Sequence, residues 1–205
     1  KLLELIEFRD RMYRDPELLA IYEAGDQNSH WQTYDHVHGD EVTALAIELR
    51  DHIHSIFPNL MDDETREFVI PVAAWLHDIG RAVDIDKHDY EGVKIARAYL
   101  EKHNIPVHLR QQVLTIIMHH RAGSVIKNGI KSPAHAIVVI ADKCIGDENR
   151  VRWDKALKLK MARLVSLKYF GFTLFKRTRK LGQWSLARKN MWFNAPHDRV
   201  SFAIK

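Results

Sequence analysis

From residue 1 to residue 168 apolar side chains recur at intervals of three and four, a period that gathers them on one face of an α-helix. Leu2, Leu5, Ile6 and Met12 begin the pattern. Val42, Leu45, Ala46, Leu49, Ile53 and Ile56 continue it, as do Phe68, Val69, Val72, Ala73 and Leu76. Only 9 glycines and 6 prolines interrupt the 205 residues, less than average usage, so helix has few breakers to contend with. The spacing predicts an all-α helical bundle of at least six helices without a central sheet. Helices are expected over 1–14, 35–56, 89–103 and 107–120. Another should run from Asp62 or Asp63 to His77, kinked or started late by Pro71. Asp15-Pro16 and Ser132-Pro133 each read as a cap followed by a first-turn proline, the second opening the apolar run to Cys144. Residues 121–131, with Gly123, Asn128 and Gly129, read as a surface loop, and the final DRVSFAIK allows a short β element.

Charge and histidine are unevenly distributed. Twelve of the 13 histidines precede residue 150, whereas residues 151–205 hold 14 basic side chains against Asp154 and Asp198. The net charge of +4 therefore joins an acidic, histidine-rich body, 1–150, to a basic helical extension, 151–205, expected to pack on it. Phosphates and a base could meet FKRTRK (175–180) and Trp184, yet lysines along 155–168 are what any solvated helical face shows, so nucleic acid is the lesser expectation. No apolar stretch has the length of a membrane span and no signal-peptide layout opens the chain, which predicts a cytoplasmic protein. The single cysteine, Cys144, excludes a disulfide framework, a multi-cysteine zinc site and an iron–sulfur cluster.

Chemistry concentrates in VAAWLHDIGR, 72–81. There an apolar helix ends in His77-Asp78, and neighbouring helical residues about 100° apart can flank one ion between them. A neutral imidazole and a carboxylate offer nitrogen and oxygen to a divalent metal. His-Asp also occurs at 88–89 and 197–198, but only the first follows residues that belong in a core, where a carboxylate requires a counter-charge. Four further segments place such a group at a helix end or core face. DHVHGDEV supplies His38, HDYEG supplies His88, IIMHH supplies His119 and His120, and VVIADK supplies Asp142.

This ordered set resembles the HD superfamily of metal-dependent phosphohydrolases. Its minimal pattern H…HD…D is filled by His38, His77-Asp78 and Asp142 over roughly 30–145. His88, with Gly92 four residues on, and His119 or His120 resemble the two further ligands of the binuclear branch, H…HD…H…H…D. The paired histidines are similar to those of HD-GYP phosphodiesterases, whose GYP signature is absent. His120 with Gly123 is similar to an HD-type dinucleoside-polyphosphate hydrolase pattern. The resemblance implies a bundle with metals at its centre and two ions about 3.5–4 Å apart, bridged by Asp78 and a hydroxide that attacks phosphorus.

Fe, Mn, Co, Ni or Zn suits so histidine-rich a site better than Mg or Ca. Arg81 stands where this superfamily often has a basic residue facing the phosphate; Lys143, Arg150 and Arg152 are further candidates, and Asp35 is a candidate to orient an imidazole. The expected activity is hydrolysis of a phosphoester or phosphoanhydride in a nucleotide or similar small molecule. A mixed-valent diiron oxygenase, which shares the six-ligand pattern, and a non-catalytic nucleotide sensor are the alternatives.

Overall fold

The computed structural model describes residues 1–28, 36–145, 191–194 and 201–204. Contacts group the described residues into a helical unit and a separate β-hairpin. The helical unit contains α1 (Leu2–Met12), α2 (Pro16–Asn28), α3 (His36–Ile56), α4 (Ile70–Leu76), α5 (His88–Lys102), α6 (Val107–His119), α7 (Ala122–Asn128) and α8 (Pro133–Cys144). The hairpin pairs β1 (Met191–Asn194) with β2 (Ser201–Ile204) in antiparallel register, Met191 opposite Ile204. The short β element expected at the C-terminus is therefore present. Of the expected basic helical extension, 151–205, residues 151–190 lie outside the described residues. Among the described residues no helix is long and apolar enough to cross a membrane.

Capping follows local chemistry. Asp15 Oδ1 accepts from Glu17 N (2.8 Å) ahead of Pro16, and Ser132 Oγ accepts from His135 N (3.1 Å) ahead of Pro133. Asp62 Oδ1 accepts from Thr65 N (2.6 Å). One π-helical turn, Thr65–Val69, comes next, and α4 begins only after it. Pro71 explains the late start, because its nitrogen donates nothing. Ile70 N donates back five residues to Thr65 O, and the bypassed Arg66 O accepts from Arg50 Nη1 (3.0 Å). Glu67 O, which the nitrogen of residue 71 would reach in a regular helix, accepts from Arg9 Nη1 (2.7 Å). Two arginines thus complete what the proline leaves open.

All seven residues of α4 are buried, and the helix packs against α3, α6 and α8. Trp75, Phe68, Leu49, Ile70, Leu76, Ile116 and Ile117 are among the largest fully buried side chains. Trp75 Nε1 donates to Asp40 Oδ1 (2.8 Å), which settles its one polar atom. Residues 121–131 correct the loop expectation, since they contain α7. That helix buries none of its residues, so it lacks the apolar periodicity by which helices are recognised. It stops at Gly129, whose φ of 72° lies in the left-handed region.

Candidate metal centre

His77 caps the C-terminus of α4, and Asp78 stands between it and a 3₁₀ turn, Ile79–Ala82. That turn lies so close to the start of α5 that a methyl group on Gly80 would overlap His88 O and Gly92 N. Only glycine permits this approach, and the approach brings His88 to Asp78. His38 enters from the first turn of α3, His120 from the end of α6, and Asp142 from the last turn of α8. His38, His77, Asp78, His88, His120 and Asp142 are all buried.

The two oxygens of Asp78 face different partners. Oδ2 lies 3.6 Å from His77 Nε2 and 3.9 Å from His38 Nε2. Asp142 Oδ1 completes that side, 3.6 Å from His77 Nε2 and 3.7 Å from His38 Nε2. Oδ1 of Asp78 lies 3.3 Å from His88 Nε2 and 3.5 Å from His120 Nε2. Two groups that could hold an ion result, His38–His77–Asp78 and Asp78–His88–His120, and Asp78 belongs to both.

Three of the imidazoles share one support. The Nδ1 atoms of His77, His88 and His120 each lie 2.7 Å from the carbonyl oxygen three residues earlier, those of Ala74, Ile85 and Ile117. A carbonyl only accepts, so Nδ1 carries the proton and Nε2 turns a lone pair to the centre. Among the described residues, His77 Nε2 is buried without a hydrogen-bond partner. His88 and His120 bring two such lone pairs within 3.2 Å of each other, which is repulsive unless a cation stands before them. Ligand atoms each about 2.1 Å from one ion are themselves about 3.0 Å apart at octahedral angles and about 3.4 Å at the wider tetrahedral ones, near the shorter spacings seen here. The donor set fits a divalent metal on both sides of Asp78.

Charge agrees with this. Burial opposes ionisation of Asp78, but His77, His120, Arg81 and His88 outweigh it and hold the carboxyl well below the usual range. For Asp142, burial is likewise overcome by His38, His77 and Lys143. Burial pushes His77 down, yet Asp78 and Asp142 prevail and raise it. Burial lowers His88 against the pull of Asp78, with His120 adding to the lowering.

The remaining sequence candidates fall in different places. His119 does not join the cluster: its Nδ1 meets Ser124 Oγ at 2.9 Å, so the pair expected at 119–120 reduces to His120. Adjacent helical residues lie about 100° apart, and at this helix end the step that turns His120 toward Asp78 turns His119 toward Ser124. Arg81 Nη1 lies 3.7 Å from Asp78 Oδ2. Lys143 Nζ donates to Asp142 Oδ2 from a side chain that is 46% exposed. Asp35, Arg150, Arg152, 175–180 and Trp184 lie outside the described residues. Arg121, which no sequence signal singles out, donates to Asp86 O and to Asp89 Oδ1 (3.3 Å), tying the approach to His88 to the residue after His120.

A helical bundle that buries two carboxylates among four inward-facing imidazoles defines a protein with sites able to hold divalent metal. A family model described as HD domain matches residues 36–147, more than half of the chain, and the chain belongs to the HD domain family. No curated protein and no solved structure matches it.

Proposed function

We propose that this protein is a metal-dependent hydrolase of phosphoester or phosphoanhydride bonds in a nucleotide or a similar small phosphorylated molecule. The observation that carries the reading is the division of Asp78, one oxygen toward each group of nitrogen donors. His38, His77, Asp78 and Asp142 would hold one ion, and Asp78, His88 and His120 a second. Bound divalent ions supply Lewis acidity toward phosphoryl oxygens and acidify water.

The chain's own residues supply the rest. The three carbonyl-anchored imidazoles present lone pairs without rearrangement. Arg81 Nη1 lies 3.7 Å from Asp78 Oδ2, so its guanidinium, a planar fork suited to phosphoryl oxygens, stands beside the centre. Lys143 offsets the second carboxylate and has an exposed stem from which to reach substrate. No side chain is required as a covalent nucleophile.

The test is to purify the protein without chelator, quantify its metals, and screen phosphorylated compounds with Mn²⁺, Co²⁺, Fe²⁺, Ni²⁺ and Zn²⁺. Phosphate or nucleotide release that depends on metal and disappears in Asp78→Ala is the expected result. Oxygen uptake without phosphate release would move the reading to a diiron oxygenase, and nucleotide binding without turnover to a sensor.

A further inference from the structure

His135 takes no part in the cluster, yet it is fully buried, and both of its ring nitrogens are engaged. Nε2 lies 3.0 Å from His119 O, a carbonyl that can only accept, so Nε2 carries the proton. Nδ1, left with a lone pair, accepts from Lys131 N at 3.0 Å. One neutral ring thus links the end of α6 to the turn before α8.

Its position gives the link a consequence. The last carbonyls of a helix have no partner within it. At the end of α6, Ile117 O accepts from the ring of His120, and His119 O accepts from His135. The next residue, His120, directs Nε2 toward Asp78. His135 also stands seven residues, two helical turns, before Asp142 on α8. The same ring that fixes the end of α6 therefore fixes the register of α8 against it.

We propose that His135 is a positioning residue for the metal centre: its Nε2–H···O=C bond to His119 sets the aim of His120 and the distance between the donors on α6 and on α8. The inference rests on the binuclear reading above. It requires a side chain that donates at the place of Nε2 and accepts near Nδ1, and apolar burial alone does not suffice.

The experiment titrates the metal-free full chain with Co²⁺, following calorimetric heat and ligand-field absorbance, in wild type, His135→Leu, His135→Gln and His120→Ala. A glutamine amide at this position can donate where Nε2 does. In His135→Leu the affinity for the weaker ion should fall about 10–100-fold, the usual scale for a group that orients a ligand, with an altered cobalt spectrum. His135→Gln should recover most of that affinity. Unfolding of the metal-free variants is the control, because a packing role would lower Tm while leaving metal affinity unchanged below the transition. Wild-type cobalt affinity in His135→Leu, or equal losses in the Leu and Gln variants, overturns the proposal. Unchanged cobalt binding in His120→Ala instead overturns the binuclear reading and this inference with it.

Discussion

Asp78 is the residue through which each side of the centre meets the other, and substitutions there and at Arg81 should separate two roles. Asp78→Ala removes both oxygens from the donor groups, so turnover should be lost and metal content should drop. Full activity with metal retained would end the hydrolytic mechanism. Arg81→Ala leaves the cluster's donors in place, and its expected effect is a fall in kcat/KM of about 10–100-fold for a phosphorylated substrate, the scale of one or two charge-assisted hydrogen bonds. Substituting Lys176, Arg177 and Arg179 should leave that value unchanged, and the reverse ranking would point to nucleic acid. Protons compete for the same nitrogens. The raised His77 holds a proton to higher pH than an ordinary imidazole, whereas the lowered His88 gives its proton up sooner. Coordination needs neutral rings, so metal affinity should rise with pH, and the side containing His77 should fill last, above the usual histidine pKa of about 6.5. Calorimetry between about pH 5.5 and 8 checks the order; affinity independent of pH would refute it.

Among the elements, the contact between the 3₁₀ turn and α5 is the tightest joint in the site. Gly80→Ala would force a methyl group against the backbone of His88 and Gly92, and backbone atoms have no rotamer with which to yield. The turn and helix must part, at a cost of about 1–3 kcal/mol for overpacking, and His88 must retreat from Asp78. Lower Tm together with weaker metal binding is expected; Gly123→Ala, which has open space around it, should change neither. The π turn before α4 is the other irregular joint. Its freed carbonyls accept from Arg9 and Arg50, so the irregularity is stabilised from α1 and α3 rather than from within the helix.

At the scale of the whole molecule, the centre joins α3, α4, α5, α6 and α8, and bound metal should stabilise all of them at once. An ion bound only by the folded chain at 100-fold excess over its Kd adds about 2.7 kcal/mol, worth roughly 5–10 °C in a chain of this size. A chelator should reverse the gain. Elemental analysis should give two ions per chain in wild type and one in His88→Ala; one ion in both would reduce the centre to a mononuclear site.

Helix periodicity, caps and the order His38, His77-Asp78, His88, a histidine at 119 or 120, and Asp142 were legible in the sequence, because each depends on residue type and local spacing alone. Pro71 announced an interruption for the same reason, being a local steric and hydrogen-bonding fact. Chain order, however, does not say which way a ring points. Only packing decided that His120 faces inward while His119 turns to Ser124, since the two differ by one step around a helix end. Packing likewise gave Arg9 and Arg50 the carbonyls left open by Pro71 and the π turn, and placed buried His135 between two helices. These are contacts between distant segments, and their free energy exists only once the segments have met.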